Sequence, residues 1–323
     1  MKKLLVIEGP TGTGKTSLAV ALAKKFDGEI VSADSRQVYK GFDVGTGKDL
    51  PPDAKYKTQN PKLGGYYETQ GIRIWGYDLV EPHEEFSVAQ YIKIVRVIIE
   101  DIFARGKLPI LVGGTGLYIK GVIDGIPTLS IKPNPKLRKS LEEKTKEELF
   151  EILGRVDPVR AASLNSSDRK NPRRLIRAIE VGLTRSKLEN SKFEGGLLFI
   201  GLTTSKEILN KRIDERVDKR VQKGIESEIK ALIKNGVKRD SRAMDSLGYR
   251  QWKEYFKRPK KVSKTNVIKL WKVEEHKYSK RQMTWFKKDK RINWFDISLA
   301  TWQKNVEKLV EKWYHSGNNA EES

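Results

Sequence analysis

Cysteine is absent from this chain of 323 residues, and only three histidines occur, far apart in the sequence. The lack of cysteine excludes disulfide bonds and cysteine-ligated zinc, and scattered histidines argue against a histidine metal cluster. Long apolar runs are missing too, because no segment approaches the ~18 apolar residues of a membrane-spanning helix. The first apolar run, Leu4 to Ile7, is too short for a signal peptide. We therefore expect a soluble, cytoplasmic protein without a membrane span.

Acidic residues are outnumbered in this chain. Lysine and arginine total 64 against 42 aspartates and glutamates, which gives a net charge of +22. Such an excess suggests a polyanionic partner, most commonly nucleic acid. The alternative is a solvated basic surface with no specific partner. The length suits one large domain with an insertion, or two domains.

A glycine-rich segment follows the first apolar run and precedes a helical pattern. It fits G-x-x-x-x-G-K-[ST], the phosphate-binding P-loop, in the strand–loop–helix context that this motif requires. Backbone N–H groups of such a loop surround a polyphosphate, the Lys15 ammonium neutralises its outer oxygens, and the Thr16 hydroxyl is placed to hold Mg²⁺. The predicted diphosphate-binding residues are Gly9, Pro10, Thr11, Gly12, Thr13, Gly14, Lys15, Thr16 and Ser17.

Apolar strand patterns alternate with helical patterns through the first third of the chain. Alternation at this spacing predicts an α/β fold with a parallel sheet of the P-loop NTPase-like kind. The predicted strands are 4–8, 29–32, 72–77, 108–112 and 197–200, and the predicted helices are 15–26, 88–105 with Ser87 as its cap, and a short one after Gly116. Residues 41–71 look like a long loop or a small hairpin.

The pattern becomes mostly helical after about residue 125. We expect a discontinuous catalytic core, 1–126 and 194–290, a helical insertion domain at 127–193, and a C-terminal helix with a frayed tail at 291–323. A charged helical stretch covers 136–153, and two long basic helices are predicted over 206–235 and 265–288, with a glycine turn at Gly248 between them.

Candidate catalytic residues follow the predicted strands, because ligands of open α/β sheets bind at the carboxyl ends of the strands. Asp34 follows the second strand, where it is able to act as a general base or to bind Mg²⁺ through water. The ordinary alternative is a carboxylate that caps a turn. The segment from Gly113 to Tyr118 lies at another strand end, although its glycines alone are consistent with a tight turn.

Six segments occur in an order that resembles the tRNA dimethylallyltransferases, also called tRNA isopentenyltransferases. They read GPTGTGKT, SADSRQVY, GGTGLYI, NPRRLIRAIEV, LGYRQ and KRQMTWFKK, and the resemblance spans about residues 4–290. Such a family member transfers the dimethylallyl group of dimethylallyl diphosphate to the N6 amine of the adenosine 3′ to the anticodon, position 37. The family commonly acts on tRNAs that read codons beginning with U. The P-loop, which most of its relatives use for ATP, then holds a pyrophosphate.

The resemblance also implies roles for individual residues. Asp34 matches the general base, Thr115 matches a residue that contacts tRNA at the catalytic centre, and Mg²⁺ is the expected cofactor. The partners implied are the tRNA anticodon stem-loop and dimethylallyl diphosphate, and we expect a monomer. The matched tRNA-binding residues are Asp34, Ser35, Arg36, Gln37, Thr115, Arg138, Arg173, Arg174, Arg177, Ser246, Leu247, Gly248, Tyr249, Arg250, Lys280, Arg281, Gln282 and Lys287.

Two patterns bear on the RNA contact. Arg173, Arg174 and Arg177 share one helical face, where three like charges repel each other unless an anion lies against them. Trp285 stands among basic residues and either stacks on RNA or is buried in the core.

The sequence departs from the family at Trp75–Leu79, where many bacterial members have His-His-Leu-Ile-Asp, and the segment 47–71 is longer than usual. We expect the chemistry to survive and the docking of tRNA near this loop to differ.

Three other functions remain open at this stage. A P-loop small-molecule kinase shares the sheet and the phosphate loop, and an isopentenyltransferase acting on free adenylate shares the chemistry. The net charge of +22 favours a macromolecular acceptor over free adenylate. An RNA-binding protein without catalysis is disfavoured because Lys15, Thr16 and Asp34 are all present.

Overall fold

The structure is a computed structural model and describes residues 1–58, 63–184, 191–258 and 260–316. The described residues form two compact units, one comprising Met1–Ile123 and the chain from Glu194 onward, the other Asp124–Phe193. The domain boundaries expected from the sequence, 127 and 193, lie close to these limits. No helix in the described ranges has the length and apolar composition that a bilayer span requires.

One eight-stranded sheet organises the first unit. Its strands are β1 (Lys3–Glu8), β2 (Gly28–Ser32), β3 (Lys55–Thr58), β4 (Gly65–Thr69), β5 (Ile72–Trp75), β6 (Leu108–Gly113), β7 (Gly196–Thr203) and β8 (Ile292–Asp296). The spatial order is β3-β4-β5-β2-β6-β1-β7-β8. The six strands β5, β2, β6, β1, β7 and β8 are parallel to one another, whereas β3 and β4 continue the sheet at one edge by antiparallel pairing. The predicted parallel sheet is therefore confirmed.

Helices cover both faces of this sheet. In the first unit they are α1 (Lys15–Lys25), α2 (Val88–Ala104) and α3 (Gly116–Ile123), followed after the second unit by α9 (Lys206–Gln222), α10 (Ile225–Lys234), α11 (Lys253–Lys257), α12 (Lys264–Phe286) and α13 (Trp302–His315). Buried side chains of α1 and α13 pack with β1 and β7 in one apolar cluster. Ser87 caps α2 in a capping box with Gln90, as predicted.

The second unit is entirely helical in its described part. A 3-10 turn at Pro127–Ser130 precedes α4 (Pro135–Glu142), α5 (Lys146–Val156), α6 (Pro158–Ser163), α7 (Ser166–Arg169) and α8 (Pro172–Leu183). Leu149, Leu153, Leu175 and Ile179 are fully buried in its own apolar core. The predicted single stretch over 136–153 is two helices, because Thr145 starts a new helix with its own capping box.

Two other sequence expectations need correction. The predicted helix 206–235 breaks at Gly224, whose φ of +89° no L side chain adopts readily. The segment after residue 290 was expected to contain only a helix and a tail, but β8 pairs with β7 as the last parallel strand. For 41–71 the sequence left open a long loop or a small hairpin, and the antiparallel pair β3–β4 confirms the hairpin. The predicted frayed end, 317–323, lies outside the described residues.

Candidate active site

The glycine-rich loop leaves β1 in backbone conformations that require glycine. Gly9 has φ +142°, and a Cβ built there would lie 2.5 Å from the carbonyl oxygen of Leu202. Gly14 has φ +86° and precedes α1 as its N-cap, with no side chain capping the helix. The first N–H groups of α1 are consequently left for an external acceptor, and a helix N-terminus favours an anion.

Lys15 stands inside this loop. Its ammonium donates a hydrogen bond to the carbonyl oxygen of Pro10 at 2.8 Å. Burial lowers the pKa of Lys15 to about 7, with the nearby Arg216 acting in the same direction, while Asp34 and Glu8 oppose the shift. An anion bound in the loop restores the charge of Lys15, because an opposite charge favours the ammonium form.

A cleft of about 830 Å³ opens above the carboxyl ends of the strands and is lined entirely by residues of the first unit. It brings together predicted residues from three parts of the sequence: the P-loop, the segment after β2, and the stretch 246–287. The predicted residues that line it are Thr11, Gly12, Gly14, Lys15, Thr16, Ser17, Asp34, Ser35, Arg36, Gln37, Leu247, Arg250, Arg281 and Gln282.

Asp34 both caps a turn and faces the cleft. Its Oδ1 accepts the backbone N–H of Arg36 at 2.8 Å, which is the ordinary use of aspartate that the sequence left open. Burial raises the pKa values of Tyr77 and Tyr278, both of which line the cleft, and the nearby Asp34 carboxylate raises them further. A second carboxylate oxygen therefore remains available beside the P-loop.

Thr115 lies behind Asp34. The backbone N–H of Ser35 donates to the Thr115 hydroxyl at 3.1 Å, and the Thr115 N–H donates to the Ala33 carbonyl at the same distance. A Cβ on Gly113 would lie 2.1 Å from the oxygen of Ala33, so the glycine permits this close approach. Thr115 thus fixes the segment that presents Asp34, whereas its predicted contact with tRNA stays a prediction.

Helix α12 joins the P-loop to the end of β6 through Gln282. This buried amide accepts the N–H of Thr11 and donates to the carbonyl of Gly114, both at 2.9 Å. Trp285, one turn further on, is 44% exposed and packs against Gly116, so its burial in the core is excluded and a stacking role stays open. Lys280 on this helix and Lys287 directly after its end are exposed.

The segment from Ser246 to Arg250 divides into two sets. Leu247 and Arg250 line the cleft, whereas Ser246 and Tyr249 are buried. The Tyr249 hydroxyl donates to Glu228 at 2.5 Å, and Gly248, at φ +92°, packs against the Gly45 carbonyl. The side chains of Ser246 and Tyr249 therefore hold the shape of the segment, and its predicted contact with tRNA stays a prediction.

Arginines of α9 form a wall of the cleft that the sequence analysis missed. Arg216 donates to the Thr11 hydroxyl and, through Nε and Nη2, to Asp49 Oδ2 at 2.9 and 2.6 Å. Arg212 donates to the Gly12 carbonyl at 2.8 Å. The signal was present as arginines 212, 216 and 220, spaced four apart and thus on one helical face.

The predicted tRNA-binding arginines of the second unit are mostly paired. Glu180, 3% exposed, receives Arg138 at 2.7 Å and Arg177 at 2.9 Å. Burial alone would raise the pKa of Glu180, but hydrogen bonds from Arg138, the Asn134 N–H and Arg177 hold it at about 2.

Arg174 pairs with Asp168, while the side chain of Arg173 is exposed and has no hydrogen bond or ion pair to another described residue. The sequence suggested that three neighbouring arginine charges need an external anion to offset their repulsion. This is wrong for Arg174 and Arg177, because the carboxylates of Asp168 and Glu180 already balance their charges. Only Arg173 offers an unpaired charge on this face within the described chain.

The parallel sheet, the phosphate loop after β1 and a carboxylate after β2, two strands away, define a P-loop α/β enzyme core. The profile of the IPP transferase family matches residues 37–289, and that of the isopentenyl transferase family matches residues 2–59. The tRNA dimethylallyltransferase of Carboxydothermus hydrogenoformans is 39% identical, with 96% of each chain covered. That of Anoxybacillus flavithermus is 37% identical, with 93% of this chain and 92% of the relative covered.

Solved structures agree with these sequence relatives. The tRNA isopentenylpyrophosphate transferase of Bacillus halodurans is 32% identical with a TM-score of 0.70 over the whole of both chains. A eukaryotic dimethylallyltransferase acting on tRNA is 26% identical with a TM-score of 0.76, covering 98% of this chain and 80% of the other. The chain belongs to the tRNA dimethylallyltransferase family, whose members are prenyltransferases.

Proposed function

We propose that this enzyme transfers the dimethylallyl group of dimethylallyl diphosphate to the N6 amine of the adenosine 3′-adjacent to the anticodon, position 37, in tRNAs that read codons beginning with U. The products are N6-isopentenyladenosine and diphosphate. One observation supports this most strongly: a single cleft contains the cationic phosphate loop and, beside it, the carboxylate of Asp34.

The loop and α9 are suited to the leaving group. As the allylic carbon–oxygen bond breaks, negative charge accumulates on the diphosphate. Lys15, the first N–H groups of α1 and the Arg216 guanidinium, which bonds to Thr11 of the loop, would surround this charge. They stabilise the transition state more than the ground state, which is what accelerates the reaction.

Mg²⁺ fits the same place. The Thr16 hydroxyl lines the cleft, and no group of three or more potential metal ligands occurs among the described His, Cys, Asp and Glu side chains. Magnesium keeps several waters and binds through few protein ligands together with substrate phosphates, so one hydroxyl beside a diphosphate is a suitable site. When bound, the ion would neutralise part of the diphosphate charge.

Asp34 provides the other half of the reaction. The adenine amine is a poor nucleophile because its lone pair is shared with the ring. A carboxylate within ~3 Å orients it and accepts its proton as the carbon–nitrogen bond forms, an effect of typically 10²–10⁴-fold. The adenosine must leave its stack to reach the cleft, which is easier in a single-stranded anticodon loop than in a duplex.

A competition assay tests the proposal. The enzyme is given Mg²⁺, labelled dimethylallyl diphosphate, and equal concentrations of an anticodon stem-loop RNA and AMP. We expect label in the RNA alone. Preferential labelling of AMP would identify an adenylate isopentenyltransferase instead. A parallel reaction with labelled ATP should give no phosphoryl transfer, and phosphorylated product there would favour a kinase.

A further inference from the structure

Most residues that line the cleft are polar or charged, but its floor carries an apolar strip. Val112 lies in β6, Ile30 in β2, and Tyr77 two residues beyond the end of β5. These strands are neighbours in the sheet, and the three side chains are at most 6% exposed. They belong to one apolar cluster, so the strip is continuous with the core.

Tyr77 forms the end of this strip, and contacts with β2 and with the β3–β4 hairpin hold it in place. A Cβ on the preceding Gly76 would lie 2.7 Å from the Ser32 carbonyl oxygen, so the backbone packs tightly against the end of β2. The Tyr77 hydroxyl lies beside the Ser32 side chain. On its far side the ring of Tyr67, from the β3–β4 hairpin, packs edge-on with centroids 6.1 Å apart.

The order of the strands places the strip in line with the reacting groups. The P-loop follows β1, Val112 comes from the next strand, and Ile30 and Asp34 come from the strand after that. A donor whose diphosphate is in the loop and whose reactive carbon is near Asp34 therefore has its hydrocarbon tail above this floor, pointing towards Tyr77. An isoprenoid tail matches the strip because apolar surface is buried favourably only against apolar surface.

Distances along the floor set a limit on the tail. Asp34 follows β2, and β5, which leads to Tyr77, is the neighbouring strand, one spacing of about 5 Å away. A dimethylallyl chain spans about 4 Å from its reactive carbon to its terminal methyl, whereas a ten-carbon chain spans about 9 Å, taking ordinary carbon–carbon bond lengths. The five-carbon chain fits and the longer one does not.

We propose that Tyr77 sets the chain length of the allylic diphosphate that this enzyme accepts, by closing the floor of the cleft at five carbons. This inference rests on the proposed function. It also gives a role to the segment Trp75–Leu79, which departs from the pattern common among bacterial relatives and is supported here by the hairpin.

Donor selectivity tests the inference directly. The ratio of kcat/KM for dimethylallyl diphosphate to that for geranyl diphosphate is measured with an anticodon stem-loop RNA, for the unaltered enzyme and for Tyr77→Phe, Tyr77→Leu and Tyr77→Ala. We expect the unaltered enzyme and Tyr77→Phe to favour the five-carbon donor by ~10²-fold or more. Tyr77→Ala, and to a smaller degree Tyr77→Leu, should lower this ratio by at least ~10-fold.

The possible outcomes distinguish an error about Tyr77 from an error about the proposed prenyl transfer. An unchanged ratio in Tyr77→Ala and Tyr77→Leu, with five-carbon transfer retained, would overturn the role of Tyr77 alone. Equal use of both donors by the unaltered enzyme would do the same. If Tyr77→Ala does not fold, Tyr77→Leu decides. If the unaltered enzyme transfers neither donor, the proposed function itself is wrong.

Discussion

At the scale of single residues, Asp34 combines a structural and a proposed chemical task. Because its Oδ1 already accepts the Arg36 N–H, removal of the whole side chain would disturb the turn as well as the base. Asp34→Asn retains an amide oxygen for that hydrogen bond and removes only the proton acceptor. It is therefore the more specific substitution.

We expect Asp34→Asn to lower kcat by at least ~10²-fold, because general-base catalysis contributes about that much or more. Affinity for tRNA should stay close to that of the unaltered enzyme. Single-turnover kinetics and fluorescence anisotropy with labelled RNA measure the two quantities. A kcat within tenfold of the original would remove Asp34 from the chemistry.

A second residue-scale prediction concerns Glu8, the last residue of β1. Its Oε1 is buried and has no hydrogen-bond partner in the described structure. Burial, assisted by Asp289, raises the pKa of Glu8 to about 8 from its ordinary 4.5. The folded state holds the proton more tightly than the unfolded state, so the free energy of unfolding should fall as pH rises from about 4.5 to 8.

Glu8→Gln should flatten this pH dependence and raise stability at pH 8, as urea unfolding at several pH values would measure. Glu29→Gln is the matched comparison, because Glu29 is equally buried but bonded to Arg105 and Trp75. Breaking that pair should destabilise the fold by about 3–5 kcal/mol. An unaltered pH profile in Glu8→Gln would contradict the assignment.

At the scale of helices and strands, the break between α9 and α10 depends on one backbone angle. Gly224 has φ +89°, and the atoms nearest to a Cβ there are 3.9 Å away, so an added methyl group meets no obstacle. Gly224→Ala should therefore destabilise the fold by about 1 kcal/mol through backbone strain alone.

Denaturant unfolding measures this effect against Gly154→Ala. Gly154 lies inside α5 with nothing near its Cβ position, and alanine there should stabilise the fold by about 0.5–1 kcal/mol. The two substitutions add the same methyl group and are expected to act with opposite sign. Equal effects would mean that the α9–α10 break does not need glycine.

Helix α8 presents two arginines one turn apart with different surroundings. Arg173 is exposed, whereas Arg177 is bonded to Glu180 and to the carbonyl of Ile131 at 3.0 Å. Arg173→Ala should weaken tRNA binding and make the log–log salt dependence shallower by about 1. Arg177→Ala should lower the melting temperature first, because it leaves Glu180 with fewer partners.

Salt titrations of RNA binding and thermal unfolding together separate these two roles. If Arg173→Ala kept the original salt slope, a phosphate contact at this position would be excluded. If Arg177→Ala left the melting temperature unchanged, the pairing with Glu180 would not be structural.

Helices, strands and loops could be predicted where the residues that determine them are close together in the sequence. The apolar run of β1, the glycines of the loop and the Ser87 cap each determine their own element. β8 was missed because Ile292–Asp296 is only partly buried at the end of the parallel strands and has no apolar run. Its register depends on pairing with β7, almost a hundred residues earlier, which no local pattern contains.

At the scale of the whole molecule, the cleft shows what sequence reasoning finds and what it does not. The P-loop and Asp34 follow strands directly and were found from motif and position. The bond between Thr11 and Gln282 joins residues 271 positions apart, and only the fold brings them together. Arg216 was missed because a cation in a basic helix is ordinarily solvated, and its partner Asp49 lies on a distant loop.

The excess of basic residues belongs to this scale too. A net charge of +22 with a cationic cleft wall on α9 suits a polyanionic acceptor better than a free nucleotide. Binding of tRNA should accordingly weaken steeply as salt rises, because counterions are released on association.

The most direct test of the central claim is mass spectrometry of tRNA that lacks prenylation, after incubation with the enzyme, dimethylallyl diphosphate and Mg²⁺. We expect one five-carbon isoprenoid on adenosine, located by nuclease fragments to position 37, in tRNAs that read codons beginning with U. Unmodified tRNA in the presence of intact donor, or prenyl groups on a different nucleoside, would contradict the account.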